Sequence, residues 1–210
     1  MNLRIAARQS HLARLQAYTV GEALERAHPG LRIEYRFKES LGDKNLNDPL
    51  WKLPERGVFT EDFVQDLLED RADLVVHSWK DLPTEPRPGL ALFGTLPRAD
   101  MRDLFFLRRT RFREKNLTLL TSSPRRSFAA ERELPALLPF PVESLHFQAV
   151  RGNVLTRLKK LVRGEGDGLF MAKAALDRLL SSSREEFREA QDELRSYLQE
   201  LQWMVLPPTA

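Results

Sequence analysis

Cysteine is absent from the sequence. This chain therefore forms no disulfide, thiolate metal site or cysteine nucleophile, and it holds no cofactor through sulfur. No apolar run approaches 18 residues, which excludes a transmembrane helix, and Met1–Ile5 lacks the start of a secretory signal. The motifs GxxxxGK[ST] and GxSxG do not occur, and the four histidines lack metal-ligand spacing, so we expect no metal site.

The composition is that of a globular protein. The chain has 210 residues, of which 42% are hydrophobic and 30% charged, enough for one large domain or two small ones. The 33 basic residues nearly balance the 30 acidic ones, for a net charge of +3. Basic clusters at 108–113 and 157–160 are typical of a solvated surface, and nucleic-acid binding is the weakest of our hypotheses.

Apolar patterning predicts strands alternating with helices in both halves of the chain. Strand-like segments at 3–7, 31–37 and 72–76 are interrupted by helical patterns, and the same rhythm continues from 103 to 180. This alternation is typical of an α/β fold with helices covering a parallel sheet. Prolines near residue 97 favour a boundary between a domain over 1–97 and another over 98–202, with 203–210 returning to the first.

A long amphipathic helix is predicted over residues 183–202. Its apolar residues recur three and four positions apart, from Phe187 to Leu201, with charges between them. Two interpretations remain open for this helix. It packs on the second domain of a monomer, which we favour, or it forms the seam of a homodimer.

Three predicted strand-to-helix junctions carry arginine. They are Arg8-Gln9-Ser10, the segment from Thr121 to Arg126, and Arg151-Gly152-Asn153 with Arg157 further along its helix. In open α/β sheets, ligands bind beyond the carboxyl ends of strands and at helix N-termini. The two interpretations are surface ion pairs and a shared site for a polyanion, and we favour the polyanion site.

A lysine–aspartate pair follows another predicted strand. The segment His77-Ser78-Trp79-Lys80-Asp81 comes directly after the strand that ends at Val76. An α/β enzyme often keeps an acid–base group at such a position. An ordinary ion pair within a loop is an equally good interpretation of the spacing.

These same segments resemble the hydroxymethylbilane synthase family, also called porphobilinogen deaminase. The matching stretches are 4–10, 69–73, 76–83, 121–126 and 151–158, in the order and spacing of the family. The resemblance implies two domains like those of a periplasmic binding protein, with a cleft between them. It also implies a shortened form, without the family's third, cysteine-bearing domain.

The resemblance implies a role for each matched residue. The family joins four porphobilinogens into a linear tetrapyrrole with loss of ammonia, in haem biosynthesis. Asp81 would be the catalytic carboxylate, with Lys80 beside it, and residues 42–59 would be a lid that carries Arg56 and Phe59. The residues that would hold acetate and propionate groups are Arg8, Ser10, Lys80, Ser123, Arg125, Arg126, Arg151, Arg157 and Arg178.

Two hypotheses for the function follow from the resemblance. The chain is either a cytoplasmic transferase that polymerises porphobilinogen, or a non-catalytic relative that binds pyrroles or tetrapyrroles. The family carries a dipyrromethane primer on a cysteine. Because this chain has no cysteine, we expect no covalent cofactor, and a dipyrromethane would have to be held non-covalently. We expect a small pyrrole substrate as its partner, and neither a membrane nor a nucleic acid.

Overall fold

A computed structural model describes residues 1–40, 60–85 and 87–208. The chain divides into two compact units, Met1–Pro97 and Arg98–Ala210. Both have the mixed α/β fold that the apolar patterning predicts. The residues predicted as a lid, including Arg56 and Phe59, lie outside the described ranges.

The first unit contains a sheet of three parallel strands within the described ranges. In chain order the elements are β1 (Asn2–Arg8), α1 (His11–Ala27), β2 (Arg32–Lys38), α2 (Glu61–Leu68), β3 (Leu74–Val75) and a 3-10 turn (Trp79–Asp81). β1 lies between β2 and β3, and both pair with it in parallel. The carboxyl end of β1 therefore delivers Arg8 to one edge of this sheet.

Helices cover the buried strand of the first unit on both faces. Ile5 and Ala7 of β1 pack with Ala17 of α1, whereas Ala6 packs with Phe63 of α2. Alternation along β1 sends successive side chains to opposite faces, which explains why Ile5, Ala6 and Ala7 are all apolar.

The second unit is built on a five-stranded sheet with the order β6-β5-β7-β4-β8. Its strands are β4 (Asp103–Arg108), β5 (Asn116–Leu120), β6 (Ser144–Gln148), β7 (Gly168–Ala172) and β8 (Leu201–Val205). Its helices are α3 (Pro124–Leu137), α4 (Val154–Val162), α5 (Lys173–Ser181) and α6 (Arg188–Glu200), with 3-10 turns at Arg109–Arg111 and Glu185–Phe187.

Strand directions bring several chain segments to one edge of this sheet. β5 pairs in parallel with β6 and β7, whereas β4 runs antiparallel to β7. The carboxyl ends of β5, β6 and β7 therefore lie at the same edge as the start of β4, at Asp103. The helices α3, α4 and α5 all begin at this edge.

The predicted helix over 183–202 is corrected by the structure. A 3-10 turn opens the segment, α6 ends at Glu200, and Leu201–Val205 continues as a strand that pairs with β4. The apolar spacing that predicted a helix continues to Leu201. From Leu201 onward, however, the backbone forms hydrogen bonds with β4, and a helical segment could not make them. Leu194 and Phe187 are fully buried within the second unit, so they are not available as a dimer seam.

The pairing of β8 also differs from the predicted course of the C-terminal segment. We expected residues 203–210 to return to the first domain. Instead, Trp203, Met204 and Val205 pair with β4 of the second unit, and the Leu206 N–H donates to the Asp103 carbonyl at 2.9 Å. Backbone pairing with an edge strand leaves no local signal in sequence.

Candidate functional site

The junction between β5 and α3 has the cap that its sequence predicts. Ser123 is the N-cap of α3, its Oγ accepts a hydrogen bond from the Arg126 N–H at 3.4 Å, and Pro124 is the first helical residue. Proline there has the φ that a first turn needs, and it lacks an N–H that would have no helical partner. The cap fixes the first turn, which carries Arg125 and Arg126.

The junction between β6 and α4 is equally well defined. The Asn153 Oδ1 accepts from the Thr156 N–H at 3.0 Å, and Gly152 has a φ of +116°. A Cβ at this glycine would lie 2.5 Å from the Thr156 side chain, so only glycine fits. The Gly152 carbonyl accepts from the Arg157 Nε–H at 2.7 Å, which folds this arginine back toward the start of its helix.

Ser122 joins these two junctions. Its hydroxyl donates to the Val150 carbonyl at 2.7 Å and accepts from the Val150 N–H at 2.9 Å. Thr121 adds a backbone bond to the Gln148 carbonyl at 2.9 Å. The starts of α3 and α4 are therefore held side by side at one edge of the sheet.

Two guanidinium groups act on a third at this edge, and we call Arg126, Arg151 and Arg157 the arginine cluster. Burial is the main cause that lowers the pKa of Arg157, and the positive charges of Arg126 and Arg151 lower it further. No carboxylate of the described residues lies within ion-pair distance of Arg157. Cations near helix N-termini are unfavourable unless an anion compensates them. The arginine cluster is therefore suited to a ligand with negative charge.

Asp103 is a residue of this edge that sequence reasoning missed. Its carboxylate accepts from the Arg126 Nε–H at 2.8 Å and from Nη2 at 2.7 Å, and Arg125 Nη2 lies 3.5 Å from it. The Arg125 side chain is 68% exposed, whereas that of Arg126 is 17% exposed. A pair separated by 23 positions leaves no periodic signal that could have predicted it.

Arg178 lies at the other end of its helix. It is in the last turn of α5, which begins at Lys173 beside the arginine cluster's edge of the sheet. It therefore does not share the helix N-terminal position of Arg125 and Arg126.

The first unit brings Arg8 and Asp81 together. Arg8 ends β1, and Asp81 lies in the 3-10 turn after β3, where its N–H donates to the Ser78 carbonyl at 2.9 Å. Arg8 Nη1 and Asp81 Oδ2 are 3.8 Å apart. Lys80 is exposed in the same turn. Ser10 is the N-cap residue of α1, but its side chain makes no capping hydrogen bond.

His77 is neutral at physiological pH. Burial lowers its pKa to about 4, and the charge of Arg8 contributes to the shift. Its ring packs edge-on against Phe63, with 5.1 Å between the ring centroids. The imidazole thus adds no positive charge beside the Arg8–Asp81 pair above about pH 5.

The basic segment 108–113 is largely committed to structural contacts. Arg108 and Arg111 both donate to Asp167, at 3.1 and 2.8 Å, and Arg109 donates to the Gln199 carbonyl at 2.9 Å. These contacts favour the surface interpretation over a nucleic-acid site. Within the described ranges, no group of three or more acidic or histidine side chains could hold a metal ion, and no helix there is long and apolar enough to cross a membrane.

Comparison with known proteins adds a family match. A family model described as "Porphobilinogen deaminase, dipyromethane cofactor binding domain" matches residues 3–204. Porphobilinogen deaminase of Synechococcus sp. (strain CC9605) is 41% identical over 188 residues, which cover 87% of this chain and 57% of the relative. That of Gloeobacter violaceus is 39% identical over 180 residues, covering 86% and 55%. The chain thus spans little more than half the length of these relatives.

Solved structures resemble the chain only distantly. One from a study of glutathione import in Streptococcus mutans has a TM-score of 0.45 and 9% identity, covering 100% of this chain and 77% of that one. A periplasmic binding protein of an arginine transport system from Legionella pneumophila has a TM-score of 0.42 and 13% identity, covering 98% and 79%. Strand order and layering, rather than these similarities, establish the α/β fold.

Proposed function

We propose, from the premise that the chain belongs to the porphobilinogen deaminase family, that it binds porphobilinogen or short pyrrole chains through their carboxylates. We further propose that it takes part in forming a linear tetrapyrrole. Each porphobilinogen ring carries an acetate and a propionate group. A ligand of this class therefore brings two negative charges for every ring.

The observation that carries the proposal is the arginine cluster. Arg126 and Arg151 lie close enough to Arg157 that their positive charges, together with burial, lower its pKa. A guanidinium with two cationic neighbours, such as Arg157, is electrostatically unfavourable unless an anion compensates it. Arginine is well suited to bind carboxylates in a bidentate manner. Structural ion pairs explain Arg126, but they leave Arg157 without a carboxylate among the described residues.

Asp81 is the residue to which we assign the chemistry. Its side chain is 19% exposed, enough to reach a ligand while remaining shielded from bulk water. We propose that it stabilises positive charge on the pyrrole nitrogen and assists proton transfer as ammonia leaves. Arg8, 3.8 Å away, places a positive charge beside this carboxylate.

The family's dipyrromethane fits this chain in part. Its carboxylates match the arginine cluster, in which two positive charges act on the partly buried Arg157. Its covalent link does not, because the chain offers no cysteine sulfur. A dipyrromethane on this chain would therefore be bound reversibly, and it would supply the growing end to which further rings are added.

Titration calorimetry with porphobilinogen tests the proposed binding. We expect a measurable dissociation constant that rises with salt, because the attraction is mainly between charges. Arg157→Gln should weaken binding by about tenfold. Arg195→Gln, in an exposed pair with Asp192 on α6, is the matched control and should bind like the parent. Absence of binding by the parent, or equal effects of the two variants, would contradict the proposal.

Ammonia release separates the two functional hypotheses. A transferase should release ammonia from porphobilinogen in multiple turnovers, whereas a binding protein should only retain the pyrrole. Because the chain has no cysteine to carry a covalent cofactor, mass spectrometry of the denatured chain should give the bare 24.3 kDa polypeptide in either case.

A further inference from the structure

Asp103 forms hydrogen bonds with one edge of the Arg126 guanidinium, a group that the proposed function assigns to ligand binding. Its two oxygens accept from Nε and Nη2 of Arg126, at 2.8 and 2.7 Å. The Arg126 Nη1 makes a longer contact of 3.5 Å with the Phe170 carbonyl. The edge of the guanidinium formed by Nη1 and Nη2 therefore still has N–H groups with which to meet a second carboxylate.

The carboxylate of Asp103 is held on a rigid support. Asp103 is the first residue of β4, where it pairs with Ala172 of β7, and its carbonyl accepts from the Leu206 N–H at 2.9 Å. Its side chain is only 14% exposed. We therefore do not expect a ligand to displace this carboxylate. Asp103 thus does not act as a competitor that a ligand must remove from Arg126.

Without Asp103, several positive charges would drive Arg126 away from its position. Its neighbours include Arg125 on the same turn and Arg157 across the junction, and the positive end of the α3 dipole adds to them. The carboxylate offsets this repulsion and also fixes the plane of the guanidinium through two parallel hydrogen bonds.

We propose that Asp103 is a positioning residue. It holds the edge of the Arg126 guanidinium formed by Nε and Nη2, so that the edge formed by Nη1 and Nη2 meets a ligand carboxylate. The inference rests on the proposed function. It assigns to the start of β4 a part in pyrrole binding that its sequence does not suggest. Asp103 itself does not touch the ligand.

Asp103→Asn tests this inference, with Asp100→Asn as the matched control. Both variants remove one negative charge from neighbouring positions, but Asp100 pairs with Arg102 and Lys173 rather than with Arg126. We expect Asp103→Asn to raise the dissociation constant for porphobilinogen about tenfold. Asp100→Asn should change it less than about twofold. Asp103→Glu, which keeps the charge, should recover part of the affinity.

A double-mutant cycle separates positioning from a general structural role. In an Arg126→Ala background, Asp103→Asn should change the affinity by less than about twofold, because the group it positions is gone. An equal loss of affinity in both backgrounds would overturn the inference. Tighter binding by Asp103→Asn than by the parent would do so too.

A readout without ligand distinguishes failure of this inference from failure of the proposed function. In nitrogen-15 spectra, the Arg126 Nε–H should exchange slowly with water in the parent and in Asp100→Asn, and quickly in Asp103→Asn. Slow exchange in Asp103→Asn would show that Asp103 does not hold Arg126. A protected Arg126 in a parent that binds no porphobilinogen would instead reject the proposed function.

Discussion

Arg8 Nη1 lies 3.8 Å from Asp81 Oδ2, with both side chains about one-fifth exposed. The sequence suggested separate roles for these residues, one in binding a carboxylate and one in catalysis. The structure makes them an ion pair that joins the end of β1 to the turn after β3. A negative ligand bound at Arg8, as the family resemblance implies, would approach an arginine that already has an acidic neighbour.

Asp81→Asn should separate binding from chemistry. Removing the carboxylate takes one negative charge from beside Arg8, so the affinity for porphobilinogen should be unchanged or higher. Ammonia release should fall by about 100-fold or more, the usual contribution of an acid–base or electrostatic group. Calorimetry and an ammonia assay measure the two effects, and the melting temperature checks the fold. Ammonia release at the parental rate would remove Asp81 from the reaction.

Partly buried His77 should make the first unit sensitive to acid. Its pKa is about 4 in the folded chain, against an ordinary 6.5. Between these values the unfolded chain binds more protons, so the free energy of unfolding should fall as the pH is lowered from about 6.5 to about 4. Urea unfolding across this range measures the slope.

The variant His77→Gln should lose that part of the pH dependence. His28→Gln removes an exposed imidazole at the end of α1 and should keep the parental slope. If His77→Gln and the parent had the same slope from pH 7 to 4.5, the imidazole would not be held neutral by burial.

Arg125 and Arg126 should respond differently to truncation, although they are neighbours in sequence. Arg125→Ala removes an exposed side chain with one 3.5 Å contact, so stability should barely change. Arg126→Ala leaves the shielded Asp103 carboxylate without its bidentate partner, which should cost about 1–3 kcal/mol of unfolding free energy. Urea unfolding of both variants tests this, and equal stability would contradict it.

The alternation of strands and helices could be predicted from sequence because it depends on the local periodicity of apolar residues. Alternation in β2, the apolar run of β1 and the caps at Ser123 and Asn153 all depend on residues close in the chain. The strand conformation of Leu201 and the pairing of Arg126 with Asp103 depend instead on β4, which is distant in sequence from both residues. Local patterning extended the last helix for that reason, and it left Asp103 out of the candidate site.

Ser122 should matter for binding although its hydroxyl makes both its hydrogen bonds with Val150. Ser122→Ala removes the bonds to the Val150 carbonyl and from its N–H. Val150 is 3% exposed, so these backbone groups would be left without partners, at an expected loss of about 1–3 kcal/mol of stability. Because these bonds hold the starts of α3 and α4 together, the arginine cluster should also loosen.

The binding consequence makes Ser122→Ala more than a test of stability. We expect affinity for porphobilinogen to fall by about three- to tenfold at a temperature where the variant is fully folded, since charge-assisted contacts depend on geometry. Ser196→Ala, which removes a hydroxyl that donates to the Glu193 carbonyl within α6, is the matched control and should bind like the parent. If Ser122→Ala lost stability but kept its affinity, the two junctions would bind pyrrole carboxylates independently, because the link between their helices would then be irrelevant to the ligand.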